Sequence, residues 1–313
     1  MFIDRLQKTF IVVITLVMIG MWAKNVLHPD HEETVMDDTL TVFKLPLEFA
    51  EEYSPACVSL TEDGQLLAFQ SPHPDNIGSH DIWLSHYRNG RWNEPVNAGP
   101  GINTSASEYD GKLSADGTQM AFIRSDEEMR PSIFISTFRD GKWTEAEHVG
   151  PPVSYKDQAE YGAVFSRDGN RLYFSSNRQG SYNGFDVYYS ERTETGWGDP
   201  VNLGSTINAK GDAIDAAIGR DEKTIILAFP DEESDSGRMD LYISKKTDEG
   251  WSAYQNMGPR INTPGNDACP WLGYDGHMLL VNSTWEGLIH GQERTDTRWG
   301  SVHVFHSSKG FEE

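Results

Sequence analysis

The sequence predicts an all-β protein, built as a single five-bladed β-propeller of four-stranded antiparallel blades. The prediction depends first on a repeat of about 53 residues that carries an aspartate turn, at Asp63, Asp116, Asp168, Asp221 and Asp275. Repeats of this kind bury their apolar faces only against neighbouring repeats. Four short strand-forming runs in each repeat then indicate a propeller, whose radial arrangement leaves only short, protected sheet edges.

The third repeat, residues 160–208, shows the four runs most clearly, and we label them A to D. Run A ends in the turn SRDG at residues 166–169. Asp-Gly between apolar runs is typical of a type I′ hairpin turn, because both central residues need φ > 0. Run A is therefore expected to pair antiparallel with run B, LYFS from Leu172. Run C, DVYYS, follows from Asp186, and run D opens at Trp197.

Runs B and C recur in every repeat and are rich in β-branched and aromatic residues. Run B reads LLAF from Leu66 in the first repeat and MAFI from Met120 in the second. Run C reads DIWLS from Asp81 and SIFIS from Ser132 in the same two repeats. This composition favours half-buried or fully buried strands over helices.

Run D opens on a tryptophan in the first four repeats, at Trp92, Trp143, Trp197 and Trp251. A bulky residue at a repeated place is first explained by the repeat itself. We therefore interpret these tryptophans as wedges between neighbouring sheets and not as a ligand cage.

The two ends of the array indicate how the ring closes. The fifth repeat has runs A, B and C but ends without a run D, while residues 41–46 before the first repeat read TVFKLP. Phe43 stands three residues before Pro46, as Trp92 stands three before Pro95. The N-terminal strand, about residues 41–46, is therefore expected to complete the last blade and to remove its open edge.

Residues 1–23 are typical of an export signal or a signal-anchor helix. The apolar run FIVVITLVMIGMWA starts at Phe10 and follows Arg5 and Lys8. The run is short for a spanning helix, which needs about 20 apolar residues, and its end is a poor cleavage site. A cleaved signal peptide and an uncleaved inner-membrane anchor both stay open. In either case the basic residues stay cytoplasmic, which places the later chain in the bacterial periplasm.

Residues 24–40 are acidic and contain a proline, so we interpret them as a linker between the leader and a propeller of residues 41–313. The formal net charge is −22 at pH 7. A surface of this sign repels phosphate backbones and anionic lipids at long range. We expect no nucleic-acid partner, and contact with the inner membrane only through the N-terminal segment.

The third repeat resembles the bacterial TolB-type propeller repeat. The resemblance lies in the S-x-D-G turn, the runs LYFSSNR and DVYY, and the pattern W-x-x-P-V-N-L-G followed by I-N. The same repeat occurs in periplasmic proteins of the OmpA family that bind peptidoglycan. The resemblance covers about residues 41–308 and weakens in the second repeat, at Thr144-Glu145-Ala146, and in the fourth, at Asp221-Glu222.

This resemblance implies a propeller fold, an extracytoplasmic setting and a binding role. The additional α/β domain that TolB carries before its propeller, and the OmpA-family domain that follows the other propellers, have no counterpart in this sequence. The protein partners of those families are therefore not implied.

Strand connectivity places the B–C loops and the D–A connections on one face of the ring, which we call the loop face. Five acidic residues near the start of run A are expected to crowd the channel mouth there: Glu108, Asp110, Glu160, Asp215 and Asp267. Paired carboxylates would serve a glycan hydrolase as general acid and base, with Tyr109, Tyr161 and Trp271 stacking on sugar rings. Because the acids recur with the repeat, hydrogen bonding to loop backbone is the favoured interpretation, and a bound Ca²⁺ stays open. No cofactor is required.

The B–C loop of the fifth repeat, residues 282–300, is nearly twice as long as the others. Loops of this length in a compact domain are usually functional or disordered. We expect it to form one wall of a ligand pocket; the alternative is a packing flap that closes the ring. Its candidate ligand-binding residues are Trp285, Glu286, His290, Arg294 and Trp299.

The two cysteines fall at equivalent places in the first and fifth repeats, each six residues before the turn aspartate: Cys57 and Cys269. Ring closure makes these repeats neighbours. A disulfide between them requires Cα atoms about 4.4 to 6.8 Å apart. A disulfide, two buried free thiols and a metal-binding role all stay open.

These observations favour an extracytoplasmic, non-catalytic recognition or scaffold propeller that binds a protein or a glycan in the cell envelope. The alternative is a glycan-active hydrolase that uses the channel-mouth carboxylates. The sequence contains no phosphate-binding Walker loop, no G-x-S-x-G nucleophile turn and no H-E-x-x-H metal helix.

Overall fold

The computed structural model describes residues 34–37, 40–125, 130–182, 184–209, 211–230, 239–284 and 301–312. These residues form five antiparallel sheets with two short helices, α1 (Ala50–Tyr53) and α2 (Ser205–Asn208). The innermost strands of the five sheets contact one another in a closed cycle. The fold class predicted from the repeat, a five-bladed β-propeller, is confirmed.

The strands that precede the first repeat are β1 (Thr34–Asp37) and β2 (Leu40–Lys44). Blade one contains β3 (Ala56–Leu60), β4 (Leu66–Ser71), β5 (Asp81–Arg88), β6 (Arg91–Trp92) and β7 (Val96–Asn97). Blade two contains β8 (Ser107–Leu113), β9 (Gln119–Ser125), β10 (Ser132–Arg139), β11 (Lys142–Trp143) and β12 (Glu147–His148).

Blade three contains β13 (Glu160–Phe165), β14 (Arg171–Ser176), β15 (Asp186–Thr193), β16 (Gly196–Trp197) and β17 (Val201–Asn202). Blade four contains β18 (Ala216–Ile218), β19 (Thr224–Pro230), β20 (Met239–Thr247), β21 (Gly250–Trp251) and β22 (Gln255–Asn256). Blade five contains β23 (Asp267–Leu272), β24 (Met278–Ser283) and β25 (Ser301–Ser307), and is completed by β2 and β1.

Strand D of blades one to four is broken into two short pieces. In blade one, β6 pairs with the end of β5 at Tyr87↔Trp92, and β7 pairs nearer its start at Trp83↔Asn97. The serine that ends each run C bridges the gap, because its hydroxyl donates to a carbonyl between the pieces, as Ser85 does to Asn93. The equivalent bonds run from Ser136 to Thr144, from Ser190 to Gly198 and from Ser244 to Ser252.

The aspartate turns differ from the predicted type I′ geometry. In the first turn the N–H of Gly64 donates to the carbonyl of Thr61, and φ is positive at Gly64 but not at Asp63. This fits a type I turn followed by a left-handed residue. The carboxylate of Asp63 accepts hydrogen bonds from the Thr61 hydroxyl and the Gln65 N–H, so the aspartate fixes the turn through its side chain.

The N-terminal strand closes the ring as predicted, since β2 pairs with β25 in blade five. The register differs from the one expected. Phe43 pairs with Val304, the place that Val96 takes opposite Leu84 in blade one. Leu40, which pairs with Ser307, occupies the place of Trp92. Strand D of blade one has a gap between Trp92 and Val96, whereas β2 is continuous. The distance to the following proline therefore does not give the same register in the two strands.

Strand β1 lies within the segment interpreted as a linker. It pairs antiparallel with β2, for example at Thr34↔Val42, and adds a fifth, outermost strand to blade five. Blade five therefore includes residues that precede residue 41.

The core consists of apolar layers between neighbouring blades. The layer between blades one and two contains Ile82 and Leu113, and Trp143 packs against it. Trp92 lies in the layer between blades five and one and contacts the ring of Tyr87, while Trp197 packs on Phe165. The tryptophans of run D thus pack between sheets. Among the described residues, no helix is long and apolar enough to span a membrane.

Candidate functional site

Five residues occupy equivalent positions on or directly before the innermost strands around the propeller axis: Cys57, Asp110, Gly162, Asp215 and Cys269. At four of them the strand carries a β-bulge and the backbone is left-handed, with φ of 49° at Cys57, 56° at Asp110, 57° at Gly162 and 49° at Cys269. Bulges re-aim a side chain relative to its strand neighbours. The bulges therefore decide which side chains of strand A face the channel.

Side chains of neighbouring blades hold three of these bulges. The N–H of Asp110 donates to Gln70 Oε1 of blade one at 2.8 Å, and the N–H of Cys57 donates to Asn282 Oδ1 of blade five at 2.9 Å. The carboxylate of Asp215 in blade four accepts the N–H of Cys269. Left-handed backbone at a non-glycine residue is costly, and these bonds between blades stabilise it.

Cys57 and Cys269 are joined by a disulfide, with their Cα atoms 4.9 Å apart. Both cysteines are buried. The bond links blade one to blade five, so it closes the ring covalently at the level of the five equivalent residues.

Asp110, another of the five equivalent residues, forms an ion pair with Lys112, whose Nζ lies 2.9 Å from Oδ1. Both side chains are more than nine-tenths buried, and neither carboxylate oxygen of Asp110 has a hydrogen-bond donor of suitable geometry among the described residues. Burial, and then the negative charge of Asp110, raise the pKa of Asp215 to about 7, although Lys112 opposes the shift. Two carboxylates and one ammonium group therefore share this part of the channel.

The channel below this cluster is narrow. A cavity of about 10 Å³ lies among the innermost strands and is lined by Lys112, Ala217, Trp271 and Tyr274, among others. A volume of this size holds about one water molecule. A larger ligand therefore does not fit in this cavity.

Three of the five acids proposed for the channel mouth are instead fully buried at the start of strand A. Glu108 accepts the N–H and hydroxyl of Thr104 and pairs with Arg124, whose Nε lies 2.7 Å away. Asp267 accepts the N–H and hydroxyl of Thr263. These acids anchor the D–A connections.

Glu160 is the third buried acid, and it differs in its partners. It accepts the hydroxyl of Ser154 at 2.6 Å and that of Ser176 at 3.3 Å, and Arg178 lies 3.9 Å from it. Burial raises the pKa of Glu160 to about 7, and burial likewise raises the pKa of Asp267 to about 7. The hydrogen bonds that each carboxylate accepts oppose the shift.

The three aromatic residues proposed to stack on sugars are engaged with other rings. Tyr109 and Tyr161 are half-buried and stack on each other with ring centroids 6.4 Å apart. Tyr161 also contacts Phe185 edge-on at 5.3 Å. Trp271 is buried in the layer between blades five and one and contacts Tyr274. Tyr109 and Tyr161 thus lie near the loop face, whereas Trp271 belongs to the core.

The candidate residues Trp285, Glu286, His290, Arg294 and Trp299 lie outside the described residues. Within the described ranges, no three His, Cys, Asp or Glu side chains are grouped so as to hold a metal ion.

The loop face exposes apolar side chains that the sequence analysis did not single out. Ile77 is 51% exposed and Tyr182 is 54% exposed, and both lie in B–C loops. Tyr155, in the D–A connection between blades two and three, is 37% exposed. The sequence signal for this surface was the presence of large apolar residues in loops that face solvent. We considered the acidic residues of run A instead.

Another feature missed is a repeated pair of asparagines, which we call the asparagine clamp. In blade one, Asn103 accepts the N–H of Ile82 and donates to its carbonyl, and also donates to Asn97 at 2.8 Å. Asn97 in turn donates to Asp81. The clamp recurs in blades three and four, with Asn202 and Asn208, and with Asn256 and Asn262. The signal for the clamp was the recurring pair I-N with another asparagine six residues before its asparagine.

Comparison with known proteins supports the fold. No family model matches the chain, and no curated protein matches it by sequence. TolB from Acinetobacter baumannii superposes with a TM-score of 0.51 at 16% identity, over 82% of this chain and 55% of that one. The catalytic domain of a GH62 α-L-arabinofuranosidase from Coprinopsis cinerea gives a TM-score of 0.52 at 9% identity, over 85% of this chain and 94% of that one.

At these low sequence identities, the similarity to both structures is a similarity of fold alone. The chain spans little more than half the length of the Acinetobacter TolB chain. In its architecture the protein is a five-bladed β-propeller.

Proposed function

We propose that this protein is a non-catalytic recognition propeller of the bacterial cell envelope that binds a protein or a glycan on its loop face. In this proposal residues 1–23 direct or anchor the chain at the inner membrane, and the propeller lies in the periplasm. The observation that carries the proposal is the contrast on the loop face. Glu108, Glu160 and Asp267 are buried and bonded, while Ile77, Tyr155 and Tyr182 are exposed.

The exposed side chains are suited to recognition. Tyrosine offers a large, rigid contact area with a polar tip and is enriched at interfaces. A catalytic acid needs to reach a substrate, whereas the three buried acids have no exposed surface. The narrow axial cavity also favours a partner that lies across the loop face over one that enters the ring.

Two features support the envelope setting. The disulfide between Cys57 and Cys269 suits an oxidising compartment. The apolar run of the leader with Arg5 and Lys8 before it suits export. The likeness to TolB supports an envelope partner by analogy of fold alone.

A matched pair of double variants tests the loop face. We expect Tyr155→Ser with Tyr182→Ser to abolish capture of a partner from envelope extract by the immobilised protein. The control is Val96→Ser with Val201→Ser, which removes side chains of similar exposure from the outer edge of strand D. Equal capture by the two double variants and the wild type would contradict the proposed face.

A glycan hydrolase is the second candidate. Asp110 and Asp215 lie near the axis, and the raised pKa of Asp215 suits a general acid. The fold is also shared with the arabinofuranosidase domain. If this candidate is right, the wild type cleaves some member of a polysaccharide panel, and Asp215→Asn abolishes turnover while binding persists. Binding without turnover across the panel favours the recognition module.

A further inference from the structure

The D–A connection between blades two and three is held differently from those that follow blades one, three and four. The asparagine clamp uses two asparagines six residues apart, such as Asn97 and Asn103. In blade two the same two positions hold His148 and Ser154. His148 pairs with Phe134 in the sheet, as Asn97 pairs with Trp83 in blade one. A titratable side chain therefore replaces a neutral amide at this one clamp.

His148, Ser154 and Glu160 form a continuous hydrogen-bonded chain. The hydroxyl of Ser154 donates to Glu160 Oε2 at 2.6 Å, and His148 Nε2 lies 3.1 Å from the same hydroxyl oxygen. Ser154 and Glu160 are fully buried, whereas His148 is half-buried and in contact with solvent. Because the serine hydrogen is directed at the carboxylate, His148 supplies the hydrogen of the other bond.

The equivalent acids lack this link. Glu108 and Asp267 accept hydrogen bonds from Thr104 and Thr263, residues that immediately follow the second asparagine of their clamps. No titratable side chain of strand D joins those networks in the described structure. The chain from histidine to carboxylate is thus a feature of blade two alone among the clamps described.

We propose that His148, Ser154 and Glu160 form a proton-responsive latch, which holds residues 149–159 against blade two and releases them when the histidine and the carboxyl group are both protonated.

The release follows from counting hydrogens. With Glu160 ionised, the order His148 to Ser154 to Glu160 satisfies every group, whether the imidazole is neutral or charged. With Glu160 protonated and His148 neutral, the whole chain reverses and is again satisfied. With both protonated, His148 donates to Ser154, and the carboxyl hydrogen of Glu160 has no free acceptor. On Oε2 it meets the hydroxyl hydrogen of Ser154, and on Oε1 it meets that of Ser176. A buried polar hydrogen without an acceptor is destabilising.

The surrounding charges favour release in acid. Arg178 lies 3.9 Å from Glu160 and donates to the carbonyls of Pro152 and Val153, so a neutral Glu160 leaves this partly buried guanidinium without its counter-charge. Lys156 adds positive charge near His148, and Asp157 adds negative charge near Glu160. Tyr155 and Tyr188 border Arg178, and the ring of Phe134 covers His148.

The direction of each pKa sets the pH of release. Burial raises the pKa of Glu160 to about 7, while burial and then Lys156 lower the pKa of His148 from its ordinary value. As pH falls, Glu160 is therefore protonated first and the chain reverses. His148 is protonated second, at a more acidic pH, and the latch opens there.

Hydrogen–deuterium exchange of the full chain tests the latch, after correction for the intrinsic pH dependence of exchange. We expect residues 149–159 to exchange roughly tenfold faster at about pH 5 than at about pH 7.5. The connections at residues 99–106 and 203–209, which keep the asparagine clamp, serve as internal references and should not change. Equal behaviour of all three connections in the wild type would overturn the proposal.

Two variants isolate the mechanism. His148→Asn with Ser154→Asn restores the asparagine clamp, and Glu160→Gln keeps an acceptor for Ser154 at every pH. Glu160→Gln is expected to abolish the pH dependence at residues 149–159, and the double variant is expected to reduce it, while the references stay unchanged. A pH-dependent change that persists in both variants would show that the latch does not cause it. Because the wild type alone can refute the proposal, a variant that fails to fold leaves the test intact.

Discussion

The disulfide between Cys57 and Cys269 joins the innermost strands of blades one and five, two residues that lie 212 positions apart in the chain. The same ring is closed a second time at its outer side, where β2 pairs with β25. One closure is covalent and the other depends on hydrogen bonds and packing. The two closures can therefore be removed separately.

Removal of the covalent closure is expected to lower the free energy of unfolding substantially. In the chain-entropy view a cross-link over a loop of this length stabilises by about 5 kcal/mol, since it restricts the unfolded chain. We expect Cys57→Ala with Cys269→Ala to show a lower midpoint in guanidinium unfolding. Reductant should shift the wild type toward the variant and leave the variant unchanged. A wild type insensitive to reductant under unfolding conditions would argue against the bond.

Weakening of the outer closure is expected to destabilise blade five. Val42 is fully buried and belongs to the apolar layer that includes Ile226 and Leu241 of blade four. We expect Val42→Ala to reduce the free energy of unfolding by about 2 kcal/mol, because methyl groups leave a packed layer. Thr41→Ala, next to it and partly exposed, should cost less than about 0.5 kcal/mol. Similar losses in the two variants, measured by urea unfolding, would contradict the role of β2.

The fold was predictable from sequence because its strongest signals are local and repeated. The turn at Asp63 and the serine that ends run C in the first four repeats, such as Ser85, have clear structural roles in the repeat. The register of β2 was not predictable in the same way. It is set by contacts with β25, which lies more than 250 residues away in the chain, and no turn links the two strands.

The sequence placed the candidate acids near the start of strand A, where they lie, but it grouped Glu108 with Asp110, and the structure separates these two side chains. Glu108 and Asp110 are two residues apart, which in a regular strand places them on one face. The bulge at Asp110 breaks that alternation, so Asp110 contacts Lys112 near the axis while Glu108 anchors Thr104. A one-residue bulge leaves no clear mark on hydrophobic periodicity, and its left-handed residue is here an aspartate and not a glycine.

The asparagine clamp is expected to contribute more to stability than any exposed polar residue near it. Asn208 is fully buried and pairs with both the N–H and the carbonyl of Val187. We expect Asn208→Ala to cost about 3 kcal/mol, because both backbone groups lose their partner in a buried place. Ser205→Ala, on the exposed side of the same short helix, should be nearly neutral. Equal melting temperatures for the two variants would show that water replaces the clamp without loss.

The buried acid Asp267 gives stability a pH dependence of defined sign. Burial raises its pKa in the folded protein to about 7, above the ordinary 3.8. A raised pKa means that folding favours the protonated carboxyl, so this contribution is fully present below about pH 4 and is lost as pH rises through about 7. At about 1.4 kcal/mol for each pKa unit, the loss is roughly 4 kcal/mol.

Replacement of Asp267 by asparagine removes this titration and keeps a side-chain oxygen that accepts a hydrogen bond from Thr263. We expect the stability of Asp267→Asn relative to wild type to increase between about pH 4 and pH 8, as measured by urea unfolding at each pH. Asp168→Asn provides a control of opposite sign. The pKa of Asp168 is lowered, chiefly by the N–H of Asn170 and then by Ser166, so its stabilisation is present at neutral pH and is lost only in acid. If the relative stability of Asp267→Asn stayed flat across this range, the carboxyl of Asp267 would keep an ordinary pKa, and its burial would be offset by the bonds from Thr263 and Ser283.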